Sequence, residues 1–177
     1  LDNQWAKWPG TTYQLPTQCW VGPHHSAVIT GIARAGINAL IELAGGKQPR
    51  GRPAGLLCDN PQVQDSVGRA DAILNAGRAY RSAMIAELWN TVASGRETTL
   101  EQRARCRLAS TYAADCAREA MDLMYRHGGS TSFKRESRLA ECWRDLQTVG
   151  QTVTIAPEWY PIGGRVYLGL DPGSRLR

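Results

Sequence analysis

Apolar residues recur at three- and four-residue intervals through four long stretches of this chain, with polar or glycine-rich segments between them. In the first stretch Val28, Ile29, Ile32, Gly36, Ala39, Leu40 and Leu43 share one helical face. They predict a helix over 23–44, which Gly45-Gly46 ends. The second opens with Asn60 as N-cap and Pro61 at the first helical position. Its stripe runs Val63, Val67, Ala70, Leu74, Gly77, Tyr80, Met84, Leu88 and Val92, ending near Ser94-Gly95. Tyr80, Met84 and Trp89 read as core or subunit interface. The third begins with a capping box between Thr98 and Glu101. Leu108, Tyr112, Cys116, Ala120 and Met124 line its expected buried face, and Gly128-Gly129 stops it. The fourth, from Ser132 or Ser137 to Thr154, carries Leu139, Cys142, Trp143, Leu146, Val149 and Val153.

These four amphipathic segments predict an all-α fold, an antiparallel four-helix bundle over 23–170. Residues 1–22 are rich in Trp, Pro, Gly and Gln, with Trp5, Trp8 and Trp20 among them. They are expected to form an irregular segment that follows an absent upstream domain. The chain opens Leu1-Asp2-Asn3 without a methionine, which reads as a piece of a longer polypeptide. The tail after Pro157 reads as extended with a turn at Gly163-Gly164, and 171–177 as frayed.

Composition narrows the function classes. Among 177 residues, 42% are hydrophobic and 21% charged, and the net charge is +5. Its longest basic cluster, Lys134-Arg135, is too short for a nucleic-acid footprint, and Arg103, Arg105 and Arg107 do not share a helical face. No apolar run is read as a membrane span. Five cysteines without a CxxC spacing indicate free thiols in a reducing, cytoplasmic setting and no zinc or other metal site. With three histidines and scattered carboxylates, no catalytic constellation has distinctive spacing. His24 and His25 read as partly exposed structural histidines.

One stretch carries candidate chemistry. Tyr125-Arg126-His127-Gly128-Gly129-Ser130-Thr131-Ser132-Phe133 joins two helices through paired glycines and three hydroxyls. Successive free amides at a turn and helix start suit a phosphate, although a capped helix corner accounts for the same residues. Arg50 and Arg52, in the loop before Asn60, are weaker candidates for phosphate contact.

This loop, followed by a helix with Trp143-Arg144-Asp145, resembles the C-terminal helical domain of the acyl-CoA dehydrogenase superfamily. The resemblance is strongest to the branch that includes the two-component flavin monooxygenases. It extends from about His24 to Gly169. It rests also on Ile29, on Ile32-Ala33-Arg34-Ala35-Gly36 running to Leu43, and on Asn60-Pro61-Gln62-Val63-Gln64. The resemblance implies a flavoprotein oxidoreductase whose FAD or FMN lies between this bundle and an absent middle domain. It implies flavin contacts from Gly128, Gly129, Ser130, Thr131 and Ser132, with Arg126 flanking. It also implies self-association to a dimer or tetramer, with an electron-transfer or flavin reductase partner.

In the family a catalytic Glu, or in the monooxygenase branch a His, follows the Arg-Asp pair. Here the matching region, 148–154, holds neither. Glu158 lies further along. Gln151 and Thr152 can hydrogen-bond flavin or substrate but are not strong bases. The catalytic residue therefore stays unassigned, and dehydrogenase and hydroxylase readings both stand. A domain that keeps the fold as a non-catalytic oligomerisation module is the rival. Either way, an isolated piece lacking half the flavin pocket is expected to turn over little substrate.

Overall fold

The computed structural model describes residues 8, 10–49, 51 and 55–176. Trp5, Arg50 and Arg52 lie outside the described residues. Six α-helices follow in order: α1 (Thr11–Gln14), α2 (Thr17–Gly46), α3 (Pro61–Ala93), α4 (Leu100–Gly128), α5 (Arg138–Val149) and α6 (Trp159–Tyr167). Short 3-10 turns sit at Leu57–Asp59, Gly129–Phe133 and Val153–Ile155, and no strand occurs among the described residues. The all-α bundle is that of α2, α3, α4 and α5, with α6 laid against α4.

Helix α4 is the central rod. Ala104, Ala109, Ala113, Ala114, Ala117 and Ala120 are all fully buried on it, so small side chains let its neighbours approach closely. The main core joins Ile29, Ile37 and Leu40 of α2, Leu74 of α3, Met121 and Met124 of α4, and Leu139 and Leu146 of α5. Gly77 of α3 is wedged against α4, where an added Cβ would lie 2.9 Å from the Cys116 Cβ. The predicted stripe on α3 is largely the buried one: Val63, Ala70, Leu74, Gly77, Leu88 and Val92 face inward. On α4 the predicted face needs correction. Tyr112 is 44% exposed, beside Tyr80 across an edge-to-face contact of 6.2 Å.

The expected irregular segment over 1–22 is helical from residue 11 except at Leu15 and Pro16, and α2 begins at Thr17 rather than near Pro23. Pro23 therefore lies inside a helix, where it has no N–H to offer the Cys19 carbonyl one turn back. The tertiary structure supplies one replacement and a further contact beside it. Cys106 Sγ donates to the Cys19 carbonyl at 3.4 Å, and Arg107 Nη1 donates to the Gln18 carbonyl at 3.0 Å. Contrary to the sequence expectation, helix α2 is by length and composition long and apolar enough to cross a membrane, though Ile29, Ala33, Ile37 and Leu40 on it are buried inside the bundle.

The capping box of α4 lies one residue later than expected. Thr99 and Gln102 satisfy each other's amides at 3.1 and 3.0 Å. That register also lets the Gln102 amide reach Thr91 Oγ1 of α3 at 2.9 Å, while Glu101 is exposed.

The fourth predicted helix ends at Val149, where Arg118 Nη2 takes the Gly150 carbonyl at 2.8 Å. The expected extended tail is instead α6, with Trp159 and Gly163 buried and Ile162 and Val166 packed beside them. Nor is 171–177 frayed throughout. Leu176 is 1% exposed against Ala104 and Trp159, and its carbonyl accepts from Arg103 Nη1 at 3.1 Å.

Candidate functional site

The glycine-hydroxyl loop owes its shape to two close approaches. At Gly128 any Cβ would stand 1.9 Å from Ser132 Oγ and 2.6 Å from Leu139 Cδ2, so only glycine fits. Gly129 follows with φ +54, which turns the chain out of α4. Ser132 is buried and its hydroxyl donates back to the Tyr125 carbonyl at 3.0 Å. Tyr125 stacks on Trp143 of α5 at 4.9 Å between centroids, with Phe133 edge-on at 6.2 Å. The aromatic triplet thus ties the loop to the helix that follows it.

A cation from the far end of α2 completes the loop. Lys47 Nζ donates to the Gly128 carbonyl at 2.6 Å and to Thr131 Oγ1 at 2.9 Å. Desolvation, with a smaller contribution from nearby Lys134, lowers its pKa from the ordinary lysine value. Lys47 and Thr131 open onto a cleft of about 520 Å³ between the end of α2 and the start of α5. Ser137 and Arg138 form its other wall, and Glu42 also lines it. Ser137 is the N-cap of α5 but makes no side-chain cap bond, so the first-turn amides of α5 lack that partner. Arg138 sits where the helix dipole disfavours a cation; Glu141 one turn on pairs with it at 2.8 Å. Lysine, arginine, two hydroxyls and an uncapped helix start together form a donor set suited to a phosphate group.

Of the residues singled out in the sequence, the structure brings Gly128, Gly129, Ser130, Thr131 and Ser132 into one turn. Gly129 and Ser130 are exposed, Thr131 faces the cleft, and the Ser132 hydroxyl is spent internally. Arg126 lies apart, in a shallow depression with Glu119, Asp122 and Leu123. Lys47, Ser137 and Arg138 were missed. An arginine in the first turn of a helix, where the dipole opposes it, was the available signal for Arg138. Lys47 is bonded to a carbonyl 81 residues away, a relation that periodicity does not carry.

The 148–154 region forms a second polar centre. Thr154 Oγ1 lies 2.9 Å from His25 Nδ1, which is also 3.1 Å from the Val21 carbonyl. The Thr154 carbonyl accepts from Arg107 Nη2 at 2.6 Å, and Arg107 lies 3.7 Å over the Trp159 ring. Arg107 is 2% exposed; burial lowers its pKa to about 10, so it is charged at neutral pH. The imidazole that meets this region, that of His25, comes from α2. Among the described residues no group of three or more His, Cys, Asp or Glu could hold a metal ion.

The chain belongs to the acyl-CoA dehydrogenase C-terminal domain family, which matches residues 24–156. Within that class its relatives include monooxygenases. It is 31% identical to the indole-3-acetate monooxygenase of Pseudomonas putida over 97% of this chain and 42% of that protein. It is 27% identical to the flavin-dependent monooxygenase oxygenase subunit HsaA of Mycobacterium tuberculosis, over 93% of this chain and 42% of that protein. The fold matches XiaF from Streptomyces sp., solved in complex with FADH2 and glycerol, with a TM-score of 0.87 at 17% identity, covering 93% and 42% of the two chains. The chain therefore spans well under half the length of these relatives.

Proposed function

We propose that this chain is the C-terminal helical domain of the oxygenase component of a two-component flavin monooxygenase. Its substrate is an aromatic compound, and a separate reductase supplies reduced flavin. The observation that carries the reading is the 31% identity to indole-3-acetate monooxygenase across 97% of the chain. The acyl-CoA dehydrogenase reading has support only at the level of the superfamily. We take the flavin to be FAD, with FMN as the alternative. Lys47, Thr131, Ser137 and Arg138 would hold its phosphates, and Gly129 and Ser130 would border them. A bound flavin supplies the redox chemistry; this chain's part is to bind and orient it.

Self-association to a dimer or tetramer is part of the proposal. It is supported by an exposed tyrosine surface, in which Tyr112 meets Tyr80 and Tyr160 donates to Asp115 at 2.6 Å, one turn from Tyr112. Five free thiols support a cytoplasmic setting.

The test uses the full-length protein that carries this domain, with FAD, a flavin reductase and NADH. Oxygen-dependent conversion of indole-3-acetate or a related aromatic acid is the expected result. Oxidation of an acyl-CoA with an artificial electron acceptor, without oxygen, would overturn it in favour of a dehydrogenase. Absence of flavin binding would favour the oligomerisation module. The isolated domain is expected to show little turnover.

A further inference from the structure

We propose that Cys19 and Cys106 form a reversible oxidation site, a dithiol that closes to a disulfide between the first turn of α2 and the second turn of α4 when a hydroperoxide reaches it. The inference does not depend on the flavin reading. Both cysteines are buried in one small cluster with Leu15, Leu88 and Val92. Cys106 Sγ donates to the Cys19 carbonyl at 3.4 Å, and the two thiols lie close enough for each to shift the other's titration. No other pair of cysteine thiols is recorded in contact among the described residues. Cys116 and Cys142 are buried apart, and Cys58 is exposed beside Asp59.

The surroundings divide the roles. The hydrogen bond from Cys106 holds the Cys19 thiol below its ordinary pKa, against burial, and the positive charges of Arg103 and Arg107 add to that. The same contact and burial push the Cys106 thiol up. Cys19 is therefore the first nucleophile; once it is a neutral sulfenic acid, the Cys19 charge that held the Cys106 thiol up is gone, and Cys106 gives up its proton as it attacks. Access comes through the start of α2. Cys19 is its third residue, the N-cap Pro16 offers no side-chain bond, and the backbone is non-helical at Leu15 and Pro16 just before it. Opening of such a helix end is a low-energy local event.

The chemistry balances with hydrogen peroxide as oxidant. The Cys19 thiolate attacks one peroxide oxygen; the O–O bond breaks, sulfenic acid forms and the second oxygen leaves as water after protonation. The Cys106 sulfur then attacks the sulfenic sulfur. The S–S bond forms, the S–O bond breaks, and hydroxide leaves as water with the Cys106 proton. Two thiols and one peroxide give one disulfide and two waters, with two electrons passing from sulfur to oxygen.

The test treats the full chain, carrying Cys58→Ser, with hydrogen peroxide under native conditions, then alkylates, digests and weighs the peptides. The expected result is a linked pair of peptides containing Cys19 and Cys106, lighter by two hydrogens than the reduced pair and separated by dithiothreitol. In Cys106→Ser, with its fold checked by circular dichroism, Cys19 should accumulate as a sulfenic acid that dimedone traps. The linked pair in the parent chain carries the test by itself if that variant does not fold. Cys19 and Cys106 both remaining reduced would overturn the proposal. So would oxidation of Cys19 to sulfinic acid with Cys106 left as a thiol.

Discussion

Cys106 donates its thiol to the backbone carbonyl of Cys19 at 3.4 Å, where Pro23 withholds the amide that would ordinarily fill that position. A side chain on one helix thus stands in for a missing backbone bond on another. Arg107, the next residue of α4, donates to the neighbouring Gln18 carbonyl at 3.0 Å.

The substitution is measurable as a coupling. Cys106→Ala should destabilise the chain by about 1–2 kcal/mol, since it leaves a buried carbonyl unpaired as well as a small cavity. In a Pro23→Ala background, where residue 23 regains its N–H, the same change should cost less. Urea denaturation of the four members of the cycle checks this, and equal costs in both backgrounds would show the two residues to be independent.

Gly128 should tolerate no side chain. Gly128→Ala sets a Cβ 1.9 Å from Ser132 Oγ and should cost about 1–3 kcal/mol through overpacking. Adding Ser132→Gly should recover only part of this, because Leu139 Cδ2 is 2.6 Å away. Thermal unfolding of the single and double variants reads both effects.

Lys47 should govern anion affinity in the cleft. In the full-length protein Lys47→Met should weaken flavin or pyrophosphate binding by about tenfold, equivalent to roughly 1.4 kcal/mol. Its folded-state pKa lies below the ordinary lysine value, so the charge is lost earlier than for a free lysine as pH rises. Affinity should therefore begin to fall in alkaline solution before an unperturbed lysine would titrate, and Lys47→Arg should remove that fall. Isothermal titration at a series of pH values gives both readings.

The C-terminal tail should contribute to stability. Leu176→Ala removes a side chain that is 1% exposed and should cost about 2 kcal/mol, near the lower end for a buried leucine because the terminus can relax. Arg103→Met, which frees the Leu176 carbonyl, should lower the same transition. Differential scanning calorimetry tests the pair. No change in either would mean that the tail does not hold this position in solution.

What periodicity could report, it reported well. Val63, Ala70, Leu74, Leu88 and Val92 repeat on one face, and the structure buries them. Its failures came where distant groups decide a local outcome. Pro23 looks like a helix start because the side chain that fills its missing bond, that of Cys106, lies on another helix. Thr98 and Thr99 offer overlapping capping boxes; the contact of Gln102 with Thr91 accompanies the second. Trp159, Ile162, Gly163 and Val166 do follow helical spacing, but Pro161 and Gly163-Gly164 suggested a turn. The loop of the candidate site was legible from Gly128-Gly129 and its hydroxyls. Lys47 was not, because a cation bonded across the bundle leaves no mark in its own neighbourhood.

The alanine-lined α4 has a consequence for how this domain can change over generations. A rod already pressed against its neighbours by methyl groups has no slack to grow, so most enlargements along it push several helices apart at once. Innovation is then confined to the periphery, at the cleft rim and the tyrosine surface. The axle stays fixed while the bearings around it diversify.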